Sequence, residues 1–402
     1  MDTNVLPDVP GLSFVVGDET TLARMLCAKA MVPFSDESIR FLDALSQVLF
    51  KKGRAYSDVV TFAFWCRRGS LLREKEKYEA GEMRLGRGIT FHSTPSNVAV
   101  NFAFSLATGL LAGNANIVRL PAKPFAQVDV VSDAVKAVLR EQPWMTPYVI
   151  FVKYGQVREF SDYFSSICMN RVVWGGDMTI ARMRKIPLPP RAVEVTFADR
   201  YSLAVLNADA ILGLDDSGLK TLVRNFWNDT YFTDQNACTS PRLMAWIGDG
   251  KEAAKEKFWA VVHALVKAEY GLQPVQAVGK LAAFYRAAAS VSDVKLVPSE
   301  DNFITRLSVE SFTPDLMDFK YNSGFFFEMD AKSLEEVFSP NSVKCQTVTY
   351  FGFSKGEIVE ALASARPNGI DRAVPIGSSM NFTLTWDGYD LIRTLSRSIS
   401  IL

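Results

Sequence analysis

Histidine is nearly absent from this chain: the 402 residues include only His92 and His263. Cysteine is sparse, with five residues at positions 27, 66, 168, 238 and 345 and no CxxC pair. A Cys/His zinc site needs several such ligands at short spacing, so the pattern argues against structural zinc. An odd number of scattered thiols fits a reducing compartment, and a cytoplasmic location is expected. An excess of one charge is missing too: 44 Lys and Arg balance 44 Asp and Glu. Surfaces that neutralise phosphates are basic, so this balance argues against a nucleic-acid partner. The N-terminus carries Asp2 and Asp8 and no basic segment ahead of an apolar run, so no secretory signal is expected. No internal repeat or low-complexity tract occurs.

What is present is an ordinary globular composition, 48% hydrophobic and 22% charged, which excludes disorder for most of the chain. At about 150 residues per domain the length implies two or three domains. Phe is abundant, at 28 residues, which suggests large apolar surfaces. From Gly88 to Val118 no Asp, Glu, Lys or Arg occurs. That is long enough to cross a bilayer. Pro95, Ser96, Asn97, Asn101, Asn114 and Asn116 interrupt it, however, and a buried helix flanked by polar turns is expected rather than a membrane span.

The periodicity predicts a helix over 35–52, capped by Ser35, with Ile39, Leu42, Leu45 and Leu49 on one face. The charged stretch 67–87 reads as an exposed helix. Strands are expected at 116–120, 148–154, 171–174, 192–197, 202–206 and 243–247. Helices are expected at 125–142, 159–168, 178–184, 221–227 and 251–270. Strands alternating with helices of this length mean βαβ units, so the expected fold class is α/β with a parallel sheet. The turn Trp174-Gly175-Gly176 falls between a strand and a helix, where phosphate can meet backbone N–H groups. A plain turn explains the same residues.

Two segments carry candidate chemistry. One is the polar turn Pro95-Ser96-Asn97 leading into the apolar helix. The other, Tyr231-Phe-Thr-Asp-Gln-Asn-Ala-Cys-Thr-Ser-Pro-Arg242, sets Cys238 among polar neighbours. A core cysteine has apolar surroundings, so Cys238 is a candidate nucleophile, with a buried structural thiol as the other reading.

Together these segments resemble the aldehyde dehydrogenase superfamily. The run Leu111-Ala-Gly-Asn-Ala-Asn-Ile-Val-Arg-Leu-Pro121 is similar to its small-residue turn and following strand. The segments Gly369-Ile-Asp-Arg-Ala-Val-Pro-Ile-Gly377 and Thr385-Trp-Asp-Gly-Tyr-Asp-Leu-Ile392, ending Leu395-Ser-Arg397, narrow the likeness to the acyl-CoA reductase family, whose named member is the fatty acyl reductase of bacterial luminescence. The likeness runs from about residue 80 to the C-terminus. No arm hairpin of the kind that joins subunits in the superfamily is evident, so a homo-oligomer stays an open expectation.

The resemblance implies an NADPH-dependent reductase that converts a long-chain fatty acyl thioester to the aldehyde through an acyl-cysteine on Cys238. It implies Asn97 and the Cys238 backbone N–H as oxyanion donors. Arg119 and Lys123 would meet the 2′-phosphate of NADPH, and Ser96, Trp174, Gly175 and Gly176 would border the cofactor. Either cation reads equally as a solvated charge. The implied donor is acyl-CoA or another acyl thioester, with an acyl-protein synthetase or acyl carrier protein as partner. His92 reads as structural, or as a contact to cofactor or to Cys238. Phe325-Phe326-Phe327 reads as core or as an acyl tunnel wall. Arg372 and Asp387 read as ties between domains. The run Phe197-Ala-Asp-Arg200 puts Thr196 where hydrolytic relatives carry a glutamate, which leaves Glu194 as a candidate base only if the register slips by two. The expected domains are 1–206 for the cofactor, with 1–80 poorly matched, 207–352 for catalysis, and 353–402 closing the interface. The alternatives are a cysteine acyltransferase or thioesterase without nicotinamide, and a catalytically silent acyl-carrier-binding partner.

Overall fold

A computed structural model describes residues 6–78, 82–95 and 98–401. The chain divides into two compact units, Met1–Ala198 with Leu384–Leu402, and Asp199–Thr383. The boundary lies eight residues before the expected one, because the segment after Ala198 supplies an interior strand of the second sheet. The C-terminal stretch is not one segment: 353–383 belongs to the second unit and 384–402 returns to the first.

The first unit holds a six-stranded sheet built from β1 (Ser13–Val16), β2 (Ile89–Ser93), β3 (Ala115–Arg119), β4 (Val149–Lys153), β5 (Asn170–Trp174) and β6 (Val193–Phe197). Their order is β1-β4-β3-β2-β5-β6. All neighbours are parallel except the edge pair of β1 and β4. The first four residues of each of β3, β4 and β5 are buried, as suits strands covered on both faces.

Helices cover the sheet where the periodicity places them. Ser35 Oγ accepts from Ser38 N at 3.2 Å and starts Asp36–Lys52. Ile39, Leu42, Leu45 and Leu49 are all fully buried, each contributing about 1.5–3 kcal/mol of apolar burial. The uncharged stretch forms the buried helix Asn101–Leu111. No helix among the described residues is long and apolar enough to cross a membrane. The charged stretch is less regular than expected. Its helix covers only Arg68–Glu76, and Arg84–Gly86 pairs antiparallel with Ser396–Ser398 near the C-terminus. A local pattern does not reveal a strand whose partner lies some 300 residues away.

The second unit holds a seven-stranded sheet of β7 (Tyr201–Asn207), β8 (Pro241–Ile247), β9 (Lys295–Leu296), β10 (Thr305–Ser308), β11 (Phe325–Asp330), β12 (Cys345–Phe351) and β13 (Arg372–Pro375). The order is β9-β10-β11-β8-β7-β12-β13, parallel except at β9. Phe325 and Phe327 pack into the core on one face of this sheet and Phe326 into the core on the other. Strand alternation sends them to opposite sides, so the Phe run is core and not a tunnel wall.

Candidate active site

After the antiparallel edge strand β1, the parallel part of this sheet begins at β2, builds outward through β3 and β4, then crosses to β5 and β6 on the other side. The strand order therefore reverses between β2 and β5. Open parallel sheets bind ligands outside the carboxyl ends of their strands at such a point. The residues there are the turn after β2 and Trp174-Gly175-Gly176 after β5. Ser96 and Asn97, expected in that first turn, lie outside the described residues. Gly176 starts the helix Asp177–Arg184, and no side chain caps it. An extra Cβ on Gly176 would meet nothing within 4 Å. A helix start without a side-chain cap fits an anion. Arg119 ends β3, with Nη2 donating to the carbonyls of Tyr154 at 3.2 Å and Gly155 at 2.8 Å. Its guanidinium also lies 4.3 Å from the Tyr154 ring centre. Lys123 is exposed, 5.3 Å over the Phe125 ring. These residues suit a dinucleotide: a helix start without a side-chain cap for pyrophosphate, and two cations near a neighbouring strand end.

A buried hydrogen-bond chain sets Trp174. Its ring stacks on Phe197 at 3.7 Å, and its Nε1 donates to Ser105 Oγ at 3.1 Å. Ser105 Oγ lies 2.7 Å from His92 Nδ1, and His92 Nε2 lies 3.0 Å from Asn116 Oδ1. An amide oxygen only accepts, so His92 carries its proton on Nε2. A Cβ on Gly109 would fall on Asn116 Oδ1, so glycine is required there. Burial holds His92 at about 4, well below its ordinary value. It is a neutral structural residue near pH 7, with both ring nitrogens engaged. Because the unfolded imidazole titrates near 6.5, the unfolded chain binds more protons between those values. The stabilisation is complete above about 6.5 and is lost as pH falls toward 4, about 3 kcal/mol in all. Urea midpoints should therefore drop between pH 7 and 5, with a shallower slope in His92→Gln. An identical slope in that variant would contradict the assignment.

In the second unit, Cys238 lies in the irregular loop between the helix Asp216–Asp229 and β8. The loop is unusually well held. Asp234 and Gln235 both adopt left-handed backbone, at φ 50° and 51°, a conformation that costs a non-glycine residue about 1–2 kcal/mol. The buried Gln235 amide compensates with four hydrogen bonds. Its Oε1 accepts from Gly324 N and Phe325 N at 2.8 and 3.1 Å, and its Nε2 donates to the carbonyls of Pro241 and Phe325 at 3.1 and 3.3 Å. Ser202 Oγ on β7 donates to the Cys238 carbonyl at 2.7 Å. The Cys238 side chain is half-buried.

The other four thiols differ. Cys66, Cys168 and Cys345 are buried, and burial pushes each thiol up, Cys168 to about 12. Cys27 is exposed at the end of a helix.

Glu194 on β6 is already committed. Its Oε2 accepts from the fully buried Arg171 at 2.7 Å and its Oε1 from Arg184 at 3.0 Å. Arg372 donates to the carbonyls of Ser378, Ser379 and Asn381, and Asp229 accepts from Gly377 N and Ser379 N. Those bonds clamp one turn of the second unit. Asp387 and Gly388, at φ 50° and 76°, form the two-residue turn between Thr385–Trp386 and Tyr389–Asp390, the Asp-Gly signature of a hairpin.

Residues 20–278, more than half of the chain, match the family described as acyl-CoA reductase (LuxC). The chain belongs to that acyl-CoA reductase family. A search of curated protein sequences finds no match. Solved structures show the aldehyde dehydrogenase fold. A salicylaldehyde dehydrogenase from Pseudomonas putida G7 is similar with TM-score 0.67 at 14% identity, over 94% of this chain and 88% of that one. A 1-pyrroline-5-carboxylate dehydrogenase from Thermus thermophilus gives 0.63 at 14% identity, over 95% and 84%. A NAD-dependent benzaldehyde dehydrogenase from Corynebacterium glutamicum gives 0.61 at 13%, over 98% and 95%. The family and the fold together mark this acyl-CoA reductase family member as an aldehyde-dehydrogenase-type oxidoreductase.

Sequence reasoning missed the residues that support the Cys238 loop. Ser202 looked like an ordinary strand residue. Gln235 and Arg242 stood in plain view within the loop, but nothing local says that they turn inward.

Proposed function

We propose that this chain reduces a long-chain fatty acyl thioester to the aldehyde with NADPH, through an acyl group carried on Cys238. The observation that carries this is the contrast among the five thiols: Cys238 alone is half-buried on a rigidly supported loop ahead of a central strand. The Cys238 thiolate attacks the thioester carbonyl, a new C–S bond forms, and the old one breaks to release CoA. The Cys238 backbone N–H and the Asn97 amide are the proposed donors to the oxyanion. A bound nicotinamide supplies the hydride that reduces the acyl carbon. Departure of Cys238 as thiolate then frees the aldehyde. In this reading Arg119 and Lys123 hold the 2′-phosphate. Trp174, Gly175, Gly176 and Ser96 border the rest of the cofactor.

The test is to mix the protein with NADPH and acyl-CoAs of several lengths and follow reduced-nicotinamide absorbance. Oxidation should depend on the thioester. A charge-assisted phosphate contact is worth about 1.5–3 kcal/mol, so kcat/KM should favour NADPH over NADH about tenfold or more. That preference should shrink in Arg119→Ala and Lys123→Ala. Thioester cleavage without nicotinamide oxidation would favour the acyltransferase or thioesterase reading. Equal use of both cofactors, unchanged in Arg119→Ala, would refute the phosphate assignment.

A further inference from the structure

We propose that Ser202 is a positioning residue for Cys238: its hydroxyl, set where the sheet is irregular on both sides, fixes the peptide that carries the nucleophile. The inference rests on Cys238 being the acylated residue.

Ser202 is the second residue of β7 and is fully buried. Both ladders beside it lose register at this row. On one side Tyr201 pairs with Cys345 and Leu203 with Val348, so β12 carries one residue more than β7. On the other side Ser202 pairs with Pro241 and Leu203 with Leu243, so Arg242 is the extra residue of β8. Each extra residue is a β-bulge, which interrupts the ladder and re-aims side chains, and parallel ladders rarely contain one. Here two flank a single serine, beside the loop that holds Cys238. The Ser202 hydroxyl bridges both gaps, since one hydroxyl can donate and accept at once. It accepts from Thr347 N at 3.2 Å and donates to the Cys238 carbonyl at 2.7 Å. Arg242, the bulged residue of β8, turns its buried guanidinium to the carbonyls of Gln235 and Tyr321.

The Ser202 bond reaches residue 238 itself, whereas the Gln235 amide anchors the loop three residues earlier. With the chain held at Gln235 and the Cys238 carbonyl held by Ser202, rotation about the Cys238 Cα–C bond is restrained. That restraint sets the direction of the Cα–Cβ bond, and so of the thiol. It also sets the Cys238 backbone N–H, the proposed oxyanion donor. Without the hydroxyl this peptide is free to turn, and a misplacement of about 1 Å costs a reacting group about 10²-fold.

The experiment follows transfer of label from a radioactive acyl-CoA to the Cys238 peptide, without NADPH and per folded molecule. Ser202→Ala should acylate about ten- to a hundredfold more slowly, with KM for NADPH unmoved in the complete reaction. A role confined to the sheet would lower the melting temperature and leave the acylation rate alone. Ser202→Thr and Ser202→Val share one shape and differ in the hydroxyl. Ser202→Thr should therefore acylate about tenfold faster than Ser202→Val, or more. A wild-type rate in Ser202→Ala overturns the proposal. So do equal rates in Ser202→Thr and Ser202→Val, a comparison that remains decisive should Ser202→Ala fail to fold. Label that persists in Cys238→Ala refutes the nucleophile reading instead. Label lost there, with a wild-type rate in Ser202→Ala, refutes the role of Ser202 alone.

Discussion

Cys238→Ala should take up no acyl label from a radioactive acyl-CoA, while its melting temperature stays near that of the wild type. The substitution removes one sulfur from a half-buried side chain, so little packing is lost. The loop keeps its supports. Gln235 retains its four bonds, and Ser202 still meets the backbone carbonyl of residue 238 rather than the thiol. What disappears is the only bond that can hold the acyl group, so NADPH oxidation should fall to background rather than by a modest factor. Alanine variants of Cys66, Cys168 and Cys345 should behave in the opposite way. Those thiols are fully buried, and a cavity in a packed core costs about 1–3 kcal/mol or more, so stability should drop while labelling per folded molecule persists. Cys27→Ala should change neither. Label retained in Cys238→Ala but lost in any of the other four would move the nucleophile.

The parts of the fold set by local period were legible in the sequence. The helix over 36–52 and the strands ending at Arg119, Trp174 and Phe197 agree with their expected ranges to within about a residue. Apolar spacing and a serine cap specify such elements without help from the rest of the chain. Elements whose stability comes from distant partners were not legible. Arg84–Gly86 is a strand because Ser396–Ser398 lies beside it. The boundary between units falls at Ala198 because Tyr201–Asn207 joins β8 and β12, which no property of residues 201–207 announces. The site divides in the same way. Cys238 stood out by its polar neighbours, and the glycine turn by its place between strand and helix. Arg242 did not stand out, since its role depends on facing inward toward Tyr321, a residue far along the chain. His92 shows the converse: it lay inside a recognisable motif, yet its partners Ser105 and Asn116 make it a core residue.

Given aldehyde and NADP⁺, the protein should form free acid slowly, and added CoA should accelerate turnover by a factor of about 10²–10⁴, the usual contribution of a general base to one step. Water can release the acyl group from Cys238 only if something deprotonates it. Thr196 has no ionisable proton near neutral pH. Glu194 lies two residues earlier on the same strand face, and Arg184 confirms that shared face by bonding Glu194 at 3.0 Å and Thr196 at 3.4 Å. Glu194 is nevertheless occupied, with Arg171 on one oxygen and Arg184 on the other. A carboxylate so paired would have to abandon a buried guanidinium to accept a proton from water. The role left to it is structural, and that role is large. Removing one partner of a buried ion pair costs about 3–5 kcal/mol, and Arg171, which also donates to Ser165 and the Ile186 carbonyl, cannot leave its site. Glu194→Gln should therefore lower the melting temperature clearly while leaving the slow CoA-independent rate per folded molecule unchanged. The decisive measurement is acid formation from aldehyde and NADP⁺ without CoA, in both proteins. Fast hydrolysis in the wild type, abolished in Glu194→Gln, would show that Glu194 leaves its arginines to serve as the base and that thioester exchange is not what empties Cys238.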